Sequence, residues 1–237
     1  MKQDSSKFNA AKEAVKLIKD GMVVGLGTGS TAKIAVDLIG QKLSKDFQII
    51  GMPTSIKTKN QAENLGIKLI DINDADAIDI AIDGADEVSP DLSLIKGLGG
   101  ALLREKKVEK KAKELIIIVD ESKIVGKLGV GFLPVEVSVQ KHELAKEEIT
   151  KLGCTVELRI EPDSLPFITD NKNYIYHCKF TKGIENPRVL DQKLMKINGV
   201  VDTGLFIDMA TKIIVGTPNG TKIIDWTTYH VVLWPYL

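Results

Sequence analysis

Apolar residues recur along the first half of the chain with the spacing of helices and strands in alternation. Phe8, Ala11, Val15 and Ile18 lie three or four residues apart, which is the spacing of an amphipathic helix. Predicted strands follow at 22–26, 47–52, 68–70, 77–82 and 115–119, with helices at 32–43, 55–65 and 101–114. Strands that alternate with helices of this length predict a parallel α/β sheet.

The pattern changes near Leu133, where a strand–helix–strand–strand–helix–strand order begins. Its predicted pieces are 135–139, 142–152, 155–160, 174–180, 187–197 and 200–206, the βαββαβ order of a ferredoxin-like unit. Apolar segments at 212–215 and 221–224 then flank Thr-Pro-Asn-Gly, which predicts a hairpin that rejoins the first sheet. We therefore expect a Rossmann-like, open, mostly parallel sheet in residues 1–131 and 206–237, with a ferredoxin-like α+β domain inserted at 132–205.

Charge and cysteine content exclude several classes of protein. The 237 residues carry 32 Lys and Arg against 32 Asp and Glu, so no basic excess exists to neutralise nucleic-acid phosphates. Cys154 and Cys178 are too few for a disulfide scaffold and lack the spacing of a zinc site, which favours a reducing cytoplasm. No apolar run is long enough to cross a membrane, and the N-terminal residues contain no apolar targeting segment.

The first candidate site is the glycine-rich segment 25–31, GLGTGST, between a predicted strand and helix. Glycines and a helix N-terminus can bind an anion, and Thr28, Ser30 and Thr31 add hydroxyl donors. A dinucleotide site is disfavoured because Ser30 replaces the third glycine of that fingerprint and no acid follows the second strand. A tight turn with capping hydroxyls is the structural alternative to a phosphate site.

Two acidic positions and one more glycine loop follow. Asp83 and Asp86 lie beyond a predicted strand, where they could bind sugar hydroxyls, move protons or hold magnesium, or form a solvated turn. Glu105 follows the loop 96–100 and shares a helix face with apolar residues, so a buried general base is predicted beside the alternative of a solvent-facing or ion-paired carboxylate. Lys123 comes directly after a strand, where it would complete an anion site or lie on the surface.

These motifs together resemble ribose-5-phosphate isomerase of the A type. The segments GLGTGST, DGADEV, KGLGGALLREK, DESK, LPVEV, GVVDTGLF and VGTPNG occur in one colinear order between about Lys7 and Ile224. The resemblance implies interconversion of ribose 5-phosphate and ribulose 5-phosphate, a step of the pentose phosphate pathway. It also implies that the enzyme needs no metal or cofactor and assembles as a homodimer or homotetramer.

The resemblance also assigns roles to individual residues. Glu105 would be the base that moves a proton from C2 to C1 through an enediolate, which Lys96 and backbone N–H groups of the second glycine loop would stabilise. The residues that would hold the phosphate are Thr28, Gly29, Ser30, Thr31 and Lys123, with help from Lys7. Those that would contact the sugar or the enediolate are Asp83, Gly84, Ala85, Asp86, Lys96, Gly97, Leu98, Gly99 and Gly100.

Two other functions fit parts of the sequence. A sugar-phosphate effector domain of a transcription regulator would need a helix-turn-helix, for which the residues before Met22 leave no room. An amino-sugar-phosphate deaminase would need a histidine near one of the loops, and His142, His177 and His230 lie elsewhere. The segment 225–237, which holds both tryptophans, departs from the family pattern and is expected to be a packed strand, a subunit contact or a gene-model artefact.

Overall fold

The computed structural model describes residues 2–225, which form two compact units. The first unit contains the described residues up to Ala85, then Arg104–Ile124 and those from Met209, and the second contains Asp86–Leu103 and Val125–Asp208. These bounds differ from the predicted ones, because residues 86–103, 125–131 and 206–208 also group with the second unit. Residues 86–103 do so because their two short strands pair with each other, and the second of them pairs with a strand at 205–206 rather than with the large sheet.

The helices and strands are numbered in chain order. The helices are α1 Lys2–Val15, α2 Ser30–Lys42, α3 Ile56–Asn64, α4 Leu102–Glu109, α5 His142–Thr150 and α6 Pro187–Leu194. The first strands are β1 Val23–Leu26, β2 Ile50–Pro53, β3 Lys68–Leu69, β4 Ile78–Asp83, β5 Glu87–Val88, β6 Leu94–Ile95 and β7 Ala112–Asp120. The others are β8 Leu133–Val137, β9 Thr155–Leu158, β10 Tyr174–Lys179, β11 Val200–Thr203, β12 Leu205–Phe206, β13 Lys212–Thr217 and β14 Gly220–Asp225.

The first unit is built on a seven-stranded sheet with the order β14-β13-β7-β4-β1-β2-β3. All neighbouring strands are parallel except the β13–β14 hairpin, so the predicted open, mostly parallel sheet and the rejoining hairpin are both confirmed. Small side chains of α1, among them Ala10 and Ala14, share a buried cluster with Ile118 and Ile214 of the sheet. Phe8 does not join this face and is 43% exposed, contrary to the helical pattern.

The predicted helix at 101–114 is too long. α4 ends at Glu109, and β7 already begins at Ala112, where it pairs with Ile78 of β4. The Lys111 N–H donates to the Val108 carbonyl at 3.0 Å and closes the helix, while the Lys111 ammonium donates to carbonyls of the 72–75 loop. Strand pairing therefore overrides the helical spacing of Ala112.

The second unit holds two smaller sheets. Its four-stranded sheet has the order β11-β8-β10-β9 with every neighbour antiparallel, which confirms the predicted ferredoxin-like βαββαβ unit. Asn186 caps α6 by accepting the Val189 N–H at 3.0 Å, and Pro187 supplies the favoured first residue of that helix. The other sheet, β12-β6-β5, was not predicted.

Among residues 2–225, no helix is long and apolar enough to cross a membrane. The predicted packed strand or subunit contact after Ile224 falls on residues 226–237, which lie outside the described part of the chain.

Candidate active site

The predicted site residues of the first unit collect at one edge of its sheet. β1, β4 and β7 are parallel neighbours, so their carboxyl ends meet at the same edge. Thr28 follows β1, Asp83 ends β4, and Lys123 lies in the short turn that follows β7. In open α/β sheets this edge is where ligands bind.

The loop after β1 leads into the first turn of α2, where the sequence predicts an anion site. α2 begins at Ser30, and Gly29 precedes it with φ of 136°, a backbone conformation that favours glycine. The carbonyl of Gly29 accepts the Lys33 N–H at 2.8 Å, which leaves the earlier N–H groups of the helix at its open end. Gly29 and Ser30 are exposed, whereas Thr31 is buried.

Asp83 fixes this loop from the neighbouring strand. Its carboxylate is 1% exposed, and Oδ1 accepts the Thr28 N–H at 3.0 Å and the Gly84 N–H at 2.6 Å. Gly27 is required beside it, because a Cβ there would lie 2.6 Å from the Asp83 Cα. The structure therefore brings Thr28 and Asp83 into direct contact.

A cluster of hydroxyl groups lies behind the loop. The Thr28 hydroxyl lies 2.7 Å from that of Thr54, 2.8 Å from that of Ser55 and 3.0 Å from that of Thr58. Thr54 and Thr58 in turn donate to the carbonyls of Leu26 and Gly27. The N–H and the hydroxyl of Thr28 are thus both bonded within the protein, so the hydroxyl helps to shape the loop. Its predicted contact with an anion stays a prediction.

The sequence prediction missed Thr54, Ser55 and Thr58, although they directly follow β2 at the same sheet edge. The signal was present, because Ser55 precedes a helical segment as a typical N-cap and accepts the Thr58 N–H at 3.0 Å. No local pattern indicates that these hydroxyls turn towards Thr28.

Two lysines lie on segments that meet at the end of β7. Gln3 in α1 donates to Asp120 Oδ2 at 3.3 Å, and Lys7 lies one turn further along the same helix face. Burial opposes a low pKa of Asp120, but hydrogen bonds from Ser122 and Gln3 and the charge of Lys123 outweigh it and lower that pKa. Lys7 and Lys123, both half-buried, therefore lie on adjoining segments.

Glu105 lies in the first turn of α4 and is 3% exposed. Val108, on the next turn, packs with Met52 and Ile78 in a buried apolar cluster. The prediction of a buried carboxylate is confirmed at Glu105, and the alternative of a solvent-facing side chain is wrong.

In the second unit, Asp86 and the glycine loop 96–100 form one hydrogen-bonded structure. The Gly100 N–H donates to the Gly97 carbonyl at 2.9 Å and closes a tight turn. Asp86 Oδ2 accepts the Leu98 N–H at 3.0 Å. Because the Gly100 N–H is used within the turn, the predicted set of loop donors is reduced to those of Gly97 and Gly99.

Lys96 precedes the turn and is 2% exposed. Its N–H donates to the Gly204 carbonyl at 2.9 Å, and its ammonium nitrogen lies 5.3 Å from the centre of the Phe206 ring. A buried ammonium group is costly unless surrounding polar groups stabilise it, so the fold must supply polar groups around the Lys96 side chain.

The described residues contain no group of three or more His, Cys, Asp or Glu placed to hold a metal ion. Asp83 and Asp86 instead accept backbone N–H groups of the two loops, as described above.

Comparison with known proteins identifies the family. Residues 50–220 match the family model described as ribose 5-phosphate isomerase A (phosphoriboisomerase A). The chain is 48% identical to ribose-5-phosphate isomerase A of Bacillus mycoides over 90% of this chain and 96% of that protein. It is 44% identical to a probable chloroplastic ribose-5-phosphate isomerase 3 of Arabidopsis thaliana over 94% of this chain and 84% of that protein.

Solved structures agree with the sequence comparison. A structure described as D-ribose-5-phosphate isomerase in complex with phospho-erythronic acid is 42% identical, with a TM-score of 0.91 over 95% of this chain and 100% of that one. Ribose 5-phosphate isomerase A of Methanocaldococcus jannaschii is 37% identical, with a TM-score of 0.90 over 94% of this chain and 99% of that one. The chain therefore belongs to the ribose 5-phosphate isomerase A family and interconverts ribose 5-phosphate and ribulose 5-phosphate.

Proposed function

We propose that the chain isomerises ribose 5-phosphate with Glu105 as the proton-transferring base and with separate loops for the phosphate and for the enediolate. The observation that carries this proposal is the buried carboxylate of Glu105, which follows the glycine turn directly in the chain. The relative solved with phospho-erythronic acid holds a compound with a phosphate and a carboxylate. A site for that compound must accept negative oxygen at two separated positions, as this mechanism requires.

The phosphate binds at the end of β1. Backbone N–H groups of Gly29, Ser30 and Thr31 and the hydroxyls of the two latter residues donate to it at the positive end of α2. Lys123 and Lys7 supply positive charge from the adjoining segments. Thr28 contributes by holding the loop in shape through Asp83 and the hydroxyl cluster.

Proton transfer occurs on the open-chain sugar. Glu105 takes the proton from C2, the C2–H electrons form a C1–C2 double bond, and the carbonyl pair moves onto O1. The enediolate then accepts the proton from Glu105 at C1, while the proton of the C2 hydroxyl passes to O1, so that C2 becomes the ketone and C1 carries the hydroxyl. Asp83 and Asp86, with Gly84 and Ala85 between them, contact the sugar hydroxyls and assist ring opening.

The negative charge that develops on oxygen needs donors fixed in advance. Lys96 supplies a buried ammonium group, and the turn at Gly97 and Gly99 supplies N–H groups. Glu105 thus supplies the base, and Lys96 with the turn supplies the oxyanion stabiliser. The proposed reaction therefore proceeds without a metal or cofactor.

Glu105→Gln tests the base. The amide keeps the size of the side chain but cannot accept a proton, so kcat should fall by at least about 10² to 10⁴, the usual contribution of general-base catalysis. Exchange of solvent deuterium into the reacting carbon should disappear together with turnover. Retention of more than about a tenth of wild-type kcat would identify a different base.

Glu109→Gln is the matched control, because Glu109 lies one turn further along α4 and is also 3% exposed. Both variants remove one buried carboxylate from the same helix, so a loss specific to Glu105→Gln separates chemistry from stability. Equal losses in both variants, with equal shifts in the urea midpoint, would make Glu105 a structural glutamate.

We also propose that the chain works as a homodimer or homotetramer in a reducing cytoplasm. Its two cysteines, Cys154 and Cys178, are buried free thiols, which suits such a compartment. Sedimentation equilibrium would establish the assembly, and a concentration-independent monomer would contradict it.

A further inference from the structure

The glycine turn of the second unit is fixed from both sides at a single residue. The Leu98 N–H donates to Asp86 Oδ2 at 3.0 Å, and the Leu98 carbonyl accepts a hydrogen bond from Arg159 Nη1 at 2.9 Å. Asp86 precedes the turn by only a few residues, but Arg159 comes from a segment 61 residues further along the chain. The sequence motifs contain Asp86 and omit Arg159.

The Leu98 carbonyl determines where the next N–H group points. A trans peptide is planar, so the carbonyl oxygen of Leu98 and the N–H of Gly99 point in opposite directions, and the described chain contains no cis peptide bond. With the carbonyl held by Arg159, the Gly99 N–H points away from Arg159. Gly99 itself is exposed, and a Cβ built on it would meet nothing within 4 Å.

Arg159 is itself held in place. Its N–H donates to the Ile175 carbonyl in β10 at 2.9 Å, and its carbonyl accepts the Phe167 N–H at 2.9 Å. The guanidinium carbon lies 3.6 Å from the centre of the Phe167 ring, which is a close cation–π contact. The backbone and the side chain of Arg159 are therefore both fixed.

Phe167 and Arg159 also explain why residue 100 is a glycine. A Cβ at Gly100 would lie 2.5 Å from Phe167 Cε1 and 3.0 Å from Arg159 Nη1, and the φ of Gly100 is 89°. The turn thus rests directly on the stacked pair formed by Arg159 and Phe167. A side chain at Gly100 would separate the turn from its support.

We propose that Arg159 is a positioning residue for the isomerisation: by holding the Leu98 carbonyl, it aims the Gly99 N–H at the oxygen that becomes negative in the enediolate. This inference rests on the proposed function of the glycine turn. Arg159 acts through the Leu98–Gly99 peptide and does not touch the sugar. Its planar guanidinium both stacks on Phe167 and donates to the carbonyl, a combination that lysine cannot reproduce.

The proposal predicts a loss in kcat with little change in KM. The negative oxygen exists only in the transition state and the enediolate, so a misdirected N–H costs little in the ground state. Removal of a whole oxyanion donor lowers kcat by a factor of about 10² to 10³. A misdirected donor should lower kcat by at least about a tenth of that factor. Arg159→Met should therefore lower kcat by about 10-fold to 10²-fold.

The matched control is Arg188→Met in the same unit, where an exposed arginine pairs with Asp208 at the surface. We expect its kcat to match wild type. Arg159→Lys should recover part of the lost kcat, because it keeps a donor but loses the stacked plane. Phe167→Leu should lower kcat in the same direction as Arg159→Met but by less, and it keeps the test decisive if Arg159→Met fails to fold.

Inhibition provides a second measurement that a general loss of stability would not reproduce. A phosphorylated four-carbon aldonic acid, whose carboxylate stands in for the enediolate oxygens, should bind Arg159→Met more weakly. Inorganic phosphate, which competes only at the loop after β1, should bind it as it binds wild type. Equal weakening of both inhibitors, a rise in KM at constant kcat, or a kcat within about threefold of wild type would overturn the proposal.

The outcomes also separate this inference from the proposed function. If Glu105→Gln is inactive while Arg159→Met keeps wild-type kcat, the base assignment stands and the role of Arg159 is wrong. If Glu105→Gln is active while Arg159→Met is slow with an unchanged KM, the base assignment is wrong and the role of Arg159 stands.

Discussion

Gly27→Ala should damage activity more than stability, because the added methyl group is aimed at Asp83. The new Cβ would lie 2.6 Å from the Asp83 Cα, with the carboxylate atoms nearer still, and Cβ contacts under 3.0 Å are essentially never observed. The Asp83 backbone must therefore shift by several tenths of an ångström. Asp83 Oδ1 accepts the Thr28 N–H, so the loop after β1 moves with Asp83.

Both consequences have an expected size. Overpacking of a tight site costs about 1–3 kcal/mol in the free energy of unfolding. Misplacement of groups that position a substrate by about 1 Å costs about 10²-fold in rate, so the smaller shift here should lower kcat/KM by about 10-fold or more. Ketose formation from ribose 5-phosphate measures the rate, and urea unfolding measures stability.

Gly25→Ala is the control for overpacking alone. Its Cβ would lie 2.8 Å from the Ala81 Cβ in the neighbouring strand, away from Asp83. We expect a similar loss of stability with kcat/KM within about threefold of wild type. The reasoning is refuted if Gly27→Ala keeps wild-type kcat/KM, or if both variants lose activity in proportion to stability.

Three further predictions concern the phosphate loop, metal dependence and pH. Thr31→Ala and Lys123→Ala should raise KM with little change in kcat, because the phosphate is held alike in the ground and transition states; a fall in kcat at constant KM would contradict this. Turnover should survive dialysis against EDTA, and a loss that magnesium restores would make Asp83 and Asp86 metal ligands. Burial, with a smaller contribution from the charge of Asp202, raises the pKa of Glu136, although hydrogen bonds to its carboxylate oppose the rise. Protonated Glu136 therefore contributes most to the stability of the folded state below the ordinary glutamate pKa of 4.5. Wild type should therefore lose stability relative to Glu136→Gln as the pH rises from there through the folded pKa, and urea midpoints that stay parallel across that window would disprove it.

Most of the fold follows from periodicity, and the exceptions have local causes. Long strands such as β4 and β7 were predicted because their apolar runs are buried on both faces. The two-residue strands β5 and β6 were missed because they are too short to show a period, and the predicted strand at 200–206 is divided into β11 and β12. Ala112 fits a helical face by spacing, yet pairing with β4 places it in a strand.

The features of the candidate site also divide into those that a local motif indicates and those that depend on distant segments. Asp83, Asp86 and Glu105 lie in local motifs, so the sequence indicated them, and the structure shows the backbone contacts of the first two and the burial of the third. The inward direction of the Thr28 hydroxyl and the contact between Arg159 and Leu98 depend on segments that are distant in the chain. No local pattern encodes such contacts.

The placement of β13 also determines when the first unit can be completed during synthesis. This strand inserts between β7 and β14, and Asn9 of α1 donates to its Thr217 carbonyl at 2.9 Å. A ribosome makes α1 long before β13, so this contact of the helix cannot form until all the elements between them have been translated. The four strands of the ferredoxin-like sheet, between Leu133 and Thr203, are all available earlier. The second unit can therefore fold while the nascent chain is still growing, whereas the seven-stranded sheet of the first unit is completed only after β13 has been made.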